Sequence, residues 1–108
     1  MAFNDRITAH DLDGLAALMS QDHTFVDAAG TVLAGKQACL DAWRSFFAAF
    51  PDYRNVFTSV VAHHDVVSAA GRSECSEPRL AGPAHWTATV QDGLVTRWHV
   101  YEEPRPPS

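Results

Sequence analysis

The sequence predicts one α+β domain in which helices pack on one face of a curved antiparallel sheet. Apolar residues recur at helical spacing before Pro51, whereas apolar and polar residues alternate after it. Helices that precede a run of consecutive hairpins are typical of this class. A chain of 108 residues with 46% apolar content has the length for one core. We therefore expect a single domain over residues 1–103 and a loose proline-rich tail over residues 104–108.

Three helices are predicted. Residues 3–10 have a composition compatible with a helix, and Asp11 is placed to cap the start of a second short helix. The strongest pattern covers residues 36–50, and Pro51 ends that helix. Its apolar positions recur every three or four residues and form a stripe suited to cover a sheet: Cys39, Leu40, Trp43, Phe46, Phe47 and Phe50.

Strands are predicted at residues 23–28, 55–62, 66–75, 84–91 and 94–103. The polar segment His63-His64-Asp65 is predicted to be a hairpin turn, and Asp92-Gly93 is a strong signal for another. One extra residue at that second turn, with Gly93 in the left-handed region, places the apolar side chains of the last hairpin on one inward face. These are Trp86, Ala88, Val90, Leu94, Trp98 and Val100. By the same alternation, residues 67, 69, 71, 73 and 75 face inward.

Charge and hydropathy exclude several classes of protein. The net charge is −5 and the basic residues are scattered singly, so a nucleic-acid partner is not expected. No apolar run has the length of a membrane span or a signal peptide, so we expect a cytoplasmic protein without a membrane partner. In that compartment Cys39 and Cys75 are expected to be reduced, buried small hydrophobes.

Neither a metal site nor a nucleotide site is expected. His63 and His64 are neighbours whose side chains would point to opposite faces of an extended chain, and no ligand-spaced Cys or carboxylate accompanies them. Residues 30–37 match the spacing of a phosphate-binding loop, but Gln37 stands where Ser or Thr must hold Mg²⁺. We expect no cofactor.

In its order of short motifs the chain resembles the nuclear transport factor 2-like superfamily, and most closely its SnoaL-like and ketosteroid isomerase-like branch. The resemblance spans nearly the whole chain. The segments that carry it are His10-Asp11-Leu12-Asp13-Gly14-Leu15, Phe25-Val26-Asp27 with Gly35, Trp43, Phe50-Pro51-Asp52-Tyr53, and residues 92–102, from Asp92-Gly93 to Tyr101-Glu102. The resemblance implies a cone-shaped half-barrel with helices on its concave face, an apolar pocket, and a homodimer formed through the outer face of the sheet.

The resemblance also implies site residues. Asp27 lies at the position that resembles the general base of the ketosteroid isomerases, which work with an Asp base and hydrogen-bond donors. Phe3 and Trp86 stand where those enzymes have their Tyr and protonated Asp donors, so steroid isomerisation by that mechanism is not expected. The pocket lining inferred from the resemblance and from the inward pattern comprises Phe3, Trp43, Phe47, Trp86, Trp98, Val100 and Glu102.

Two functions remain open from the sequence. In the first, the chain is an isomerase or cyclase-type enzyme that acts on a small apolar carbonyl or cyclic compound, with Asp27 as acid or base. In the second, it is a non-catalytic module for small-molecule binding or dimerisation. For Asp27 the alternative to catalysis is a carboxylate that holds the turn around Gly30.

Overall fold

The computed structural model describes residues 2–102 as three α-helices, one short 3-10 helix and a single six-stranded sheet. The helices are α1 (Ala2–Thr8), α2 (Leu12–Leu18) and α3 (Lys36–Ala49), and the 3-10 helix is Pro78–Leu80. The strands are β1 (Met19–Val26), β2 (Val32–Ala34), β3 (Arg54–His63), β4 (Val66–Glu74), β5 (Gly82–Gln91) and β6 (Leu94–Glu102). The sheet is not closed, and the α+β cone fold is confirmed. The predicted tail and Glu103 lie outside the described residues.

Helix ends follow the local chemistry that the sequence indicates. The Asp11 carboxylate accepts a hydrogen bond from the Gly14 backbone N–H at 3.0 Å, which caps α2 as predicted. Helix α3 ends before Pro51, and its buried residues are Cys39, Trp43 and Phe47. The apolar stripe of α3 therefore covers the sheet.

The strand order is β2-β1-β6-β5-β4-β3, and the sheet is mixed rather than wholly antiparallel. Strands β3 to β6 form the predicted antiparallel hairpins, but β1 runs parallel to β6. Alternation within a strand predicts hairpins between sequence neighbours and carries no signal for a pair so distant in the chain. Strand β2, which we expected to be loop, pairs antiparallel with β1.

The last hairpin has the predicted inward face, with a different irregularity. Ala88 pairs with Trp98, and both side chains are buried. Asp92 and Gly93 both have positive φ angles and form a two-residue turn, so the extra residue is not at the turn. It is Thr96, which lies at the register shift of the ladder and donates its hydroxyl hydrogen bond to the Thr89 carbonyl at 3.2 Å. Val95, not Leu94, is consequently buried.

Both cysteines are free thiols. Cys39 is buried as expected, and burial raises the pKa of its thiol. Cys75 is only half-buried, because its Sγ lies at the surface beside a carboxylate oxygen of Asp52, at 3.4 Å. No helix within residues 2–102 combines the length and hydropathy needed to span a bilayer.

Gly71 marks a close approach of two backbones in the sheet. It pairs with Phe57 where the register of β3 and β4 shifts, and a Cβ built on it would collide with the Val56 carbonyl oxygen. The atom in the way is backbone, so it cannot turn aside as a flexible side chain would.

We therefore expect Gly71→Ala to lower the free energy of unfolding by about 2 kcal/mol, since overpacking of this kind costs about 1–3 kcal/mol. Urea unfolding followed by circular dichroism measures the change. Ser68→Ala on an exposed position of the same strand is the control and should stay within about 0.5 kcal/mol of wild type. Equal stabilities for the two variants would contradict the close approach.

Candidate functional site

A cavity of about 930 Å³ lies between α3, the inner face of the sheet and the segment that leads into β5. Aromatic side chains form much of its wall: Phe25 from β1, Trp43 and Phe46 from α3, and Trp98 from β6. Its volume is within the range of about 300–1,000 Å³ that is usual for small-molecule sites. The fold therefore leaves space for a ligand beside the core.

Four of the predicted site residues line this cavity. They are Asp27, Trp43, Trp98 and Val100. They come from three different elements and meet because β1 pairs with β6 and α3 crosses the same end of the sheet. Asp27 follows the last residue of β1, and Phe25 lies opposite Trp98 in the ladder, so strand pairing positions the carboxylate.

The other predicted lining residues lie elsewhere. Phe3 and Trp86 are 1% exposed and pack in the core, Phe3 against Trp98 at 4.8 Å between ring centroids and Trp86 against Phe57 at the same distance. Phe47 is buried under the ring of His10, on which it stacks at 4.3 Å. None of the three is among the residues that line the cavity. The side chain of Glu102 lies outside the described part of the chain.

The Asp27 carboxylate has a structural task as well as a position on the cavity. Its Oδ1 accepts hydrogen bonds from the backbone N–H groups of Ala29 and Thr31, each at 2.9 Å. The Asp27 carbonyl also accepts from Gly30, which adopts a positive φ of 86° in this loop. These bonds fix the orientation of the carboxylate and leave Oδ2 without a hydrogen bond to any residue from 2 to 102.

Three hydrogen-bonded polar side chains, from the start of β3 and from β4, reach the cavity on the side away from Asp27. The Tyr53 hydroxyl lies 3.2 Å from the Ser73 hydroxyl, and Ser73 donates to Oδ1 of Asn55 at 2.8 Å. Tyr53 and Ser73 line the cavity, and all three residues are buried. Burial raises the pKa of Tyr53 above its ordinary value, although hydrogen bonding with Ser73 and Asn55 opposes this shift. The phenol is therefore neutral at physiological pH.

Tyr53 was named in the sequence only as part of a family motif, and Ser73 only as an inward position. Neither was assigned to the site. Alternation predicts that Ser73 lies on the inner face, as it does in the structure. Nothing in the sequence indicates that Tyr53, shortly after the end of α3, contacts Ser73 of β4 there. A buried Ser opposite a buried Tyr is visible only once the strands are paired.

The cavity wall also includes a charged side chain, Arg79, and the indole rings of two tryptophans. Arg79 lies at the rim, where its Nε donates to Glu77 at 3.0 Å, and this contact lowers the pKa of Glu77. The indole N–H groups of Trp43 and Trp98 are buried without a hydrogen-bond partner in the described chain. Because those atoms are closed to solvent, a ligand reaches them only after a side chain moves.

No group of three or more His, Cys, Asp or Glu side chains within residues 2–102 is arranged to hold a metal ion. Among the described residues that line the cavity, the polar side chains are those of Asp27, Tyr53, Ser73 and Arg79. These groups can bind, orient and exchange protons with a small molecule.

His23, a titratable side chain outside the cavity wall, is completely buried in the core. Its Nδ1–H donates to the Val95 carbonyl at 2.7 Å, which places a proton on Nδ1. Its Nε2 has no hydrogen-bond partner among the described residues. Burial lowers the pKa of His23, and this effect outweighs the opposing hydrogen bond to Val95.

Comparison with known proteins agrees with this architecture. The profile of the SnoaL-like domain matches residues 1–98. Among solved structures, a proposed polyketide cyclase from Sinorhizobium meliloti superposes with a TM-score of 0.82 at 19% identity, covering 92% of this chain and 89% of that one. A proposed ketosteroid isomerase from Kribbella flavida gives 0.81 at 18% identity, covering 99% and 78%.

An LEH-like epoxide hydrolase from M. tuberculosis superposes with a TM-score of 0.80 at 17% identity, covering 93% of this chain and 76% of that one. At such identities these likenesses establish the fold. No match was found among curated proteins.

The buried His23 predicts acid sensitivity. Its pKa is lowered in the folded state, so as the pH falls below about 6.5 the unfolded chain takes up the proton first and stability is lost. His23→Gln should flatten the dependence of the unfolding free energy on pH between about pH 7.5 and pH 5. A smaller part of the slope should come from His99, whose pKa is lowered by desolvation and by Arg97.

Denaturant unfolding across this pH range measures the slope, which separates the charge effect from any loss of packing in the variant. His63→Gln, at the exposed last residue of β3, is the control and should keep the wild-type slope. An unchanged slope in His23→Gln would show that the buried ring does not resist protonation.

Proposed function

We propose that this chain, which belongs to the SnoaL-like domain family, binds a small, largely apolar cyclic or carbonyl compound in its cavity and transfers a proton on it through Asp27. The observation that carries the proposal is the position of Asp27, the one acidic residue among the described residues that line a cavity of about 930 Å³, whose wall is otherwise rich in aromatic side chains. Such a cavity with few polar groups is the usual form of a small-molecule site.

The carboxylate suits this role because it is held in place. Oδ1 is fixed by the backbone N–H groups of Ala29 and Thr31, whereas Oδ2 has no hydrogen bond within the described residues and is available for a substrate proton. A proton acceptor works efficiently when its geometry is set before the substrate arrives.

The solved structures support the class of reaction. Their names mention a polyketide cyclase, a ketosteroid isomerase and an epoxide hydrolase, activities assigned or proposed for those proteins. With these proteins the chain shares the fold, and acid–base catalysis by a protein carboxylate is the chemistry that we propose for its own cavity.

A second candidate function is small-molecule binding without catalysis. It is favoured by the two hydrogen bonds that commit Asp27 Oδ1 to its own loop. An Asp with that task is retained for structure alone, whether or not a reaction takes place. The two functions differ in what Asp27 Oδ2 does, and this difference can be tested.

Asp27→Asn separates the two roles, because the amide oxygen of Asn still accepts from Ala29 and Thr31 whereas the charge and the proton acceptor are lost. We expect Asp27→Asn to keep the wild-type melting temperature within a few degrees, to keep ligand binding, and to lose at least about a hundredfold in turnover. The assay is exchange of the protons beside the carbonyl of cyclic ketones in D2O, followed by NMR, with lactones and epoxides tested for ring opening.

Asp27→Ala is the matched variant, since it removes both the proton acceptor and the hydrogen bonds of the loop. It should lose turnover to the same degree and lower the melting temperature as well. Turnover that survives in Asp27→Asn would assign Asp27 to structure and overturn its role in proton transfer, whereas binding by wild-type protein without any turnover would leave the binding function. If none of the ketones, lactones or epoxides binds wild-type protein, the cavity is not a small-molecule site of this kind.

The homodimer implied by the family resemblance stays a proposal. On the outer face of the sheet, Tyr101 is 40% exposed and stacks on His99 at 3.8 Å between ring centroids. Val95, the neighbour of the predicted inward residue Leu94, is not on that face but buried on the inner one. Sedimentation equilibrium should give twice the chain mass of 11.8 kDa. Tyr101→Glu should shift the mass toward one chain, and a wild-type monomer at high concentration would end the proposal.

A further inference from the structure

We infer that the cavity selects ligands that donate a hydrogen bond, through the hydroxyl group of Tyr53. The inference rests on the proposed role of the cavity as a small-molecule site and names the chemistry of its ligand: a cyclic compound that carries a hydroxyl or N–H group. It follows from the direction in which the protons of Tyr53, Ser73 and Asn55 are arranged.

The direction of hydrogen-bond donation along this chain is set at Asn55. The atom of Asn55 that contacts Ser73 is Oδ1, which can only accept, since the protons of the amide are on Nδ2. Ser73 donates its single hydroxyl proton to that oxygen at 2.8 Å. The contact of 3.2 Å between Ser73 Oγ and the Tyr53 hydroxyl therefore has to be made with the proton of Tyr53. Tyr53 donates to Ser73, and its own oxygen is left with lone pairs.

This arrangement distinguishes two kinds of ligand. A ligand hydroxyl or N–H donates to the Tyr53 oxygen and adds one hydrogen bond without disturbing the chain. A ligand that can only accept must turn the Tyr53 proton away from Ser73, so it exchanges one bond for another and leaves two oxygens facing each other without a proton. A hydrogen-bonding group buried without its partner is unfavourable, so the donor ligand binds more tightly.

The Tyr53 ring is held firmly enough for this direction to matter. Its backbone carbonyl accepts from His10 Nε2 at 2.9 Å, and its backbone N–H donates to the Phe50 carbonyl at 3.1 Å. The ring meets Phe46 edge to face at 4.7 Å between centroids. The hydroxyl therefore stays fixed at the wall beside Ser73, which also lines the cavity.

Asp27 strengthens the preference, because an ionised carboxylate is also only an acceptor. Tyr53 and Asp27 thus present two acceptors to the cavity, and Arg79 at the rim is the charged donor. A small cyclic alcohol, or a cyclic carbonyl compound with a hydroxyl group, matches this set. An unsubstituted cyclic ketone matches it less well.

The test uses 2-decalol and 2-decalone, which share one bicyclic frame and differ in whether they can donate. Isothermal titration of wild-type protein should give an affinity about fivefold higher for the alcohol, as one added hydrogen bond predicts. Tyr53→Phe keeps the ring and its packing but removes the hydroxyl, so it should bind both compounds with nearly equal affinity.

Ser73→Ala is the second variant. It removes the acceptor of the Tyr53 proton, which is then free to turn into the cavity, so the ketone should gain affinity relative to the alcohol. A purely structural role for Ser73 would weaken both affinities together and leave their ratio unchanged. Ser45→Ala, on an exposed position of α3, is the control and should keep the wild-type ratio. Circular dichroism and melting temperatures verify that each variant is folded.

The outcomes separate this inference from the proposed function. Equal affinities for the two compounds in wild type, or a preference for the alcohol that survives in Tyr53→Phe, overturns the inference and leaves the cavity as a binding site. Failure of both compounds and of decalin itself to bind wild type overturns the proposed function, and the inference with it.

Discussion

The parallel pairing of β1 with β6 is the constraint on which the other features depend. It places Phe25 opposite Trp98 and brings the end of β1 to the inner face of the last hairpin. Asp27 reaches the cavity wall for this reason alone. The same pairing brings His23 to the Val95 carbonyl, which anchors the N-terminal half of the chain to the C-terminal strand inside the core. Without it, the two halves would form a helical layer and a hairpin sheet with no shared site.

The bulge at Thr96 adjusts this pairing to the side chains. A regular ladder after a two-residue turn would bury Trp98 on one face and leave Val95 on the other. The extra residue lets both Val95 and Trp98 face the core, and the Thr96 hydroxyl satisfies the Thr89 carbonyl at the irregularity. The bulge therefore maintains a continuous apolar inner face, and Trp98 serves both the core and the cavity.

The division between core and cavity follows from where the helices cover the sheet. Phe3, from α1, fills the space over Trp98 and His23, so the cone is solid at that end. Helix α3 covers the other end with Trp43 and Phe46 and leaves the cavity beneath them, near Tyr53 and Ser73. Polar groups concentrate at this open end, where each hydroxyl has a partner. Aromatic side chains on the inner face thus belong either to the core or to the cavity wall, depending on whether α1 or α3 covers that part of the sheet.

The sequence by itself determined the elements and much of the fold. Helical spacing over residues 36–50, the cap at Asp11, the proline stop, the two hairpin turns and the inward face of Trp86, Ala88, Trp98 and Val100 all depend on local chemistry, which acts between near neighbours. Asp27, Trp43, Trp98 and Val100, which the family resemblance and the inward pattern assign to a pocket, line the cavity. Only the tertiary structure decided that Phe3, Phe47 and Trp86 belong to the core and that Tyr53 and Ser73 belong to the cavity. The sequence pattern of an apolar or hydroxyl side chain is the same whether it lies in the core or on the cavity wall. Its role depends on long-range strand pairing and on the helix that covers it.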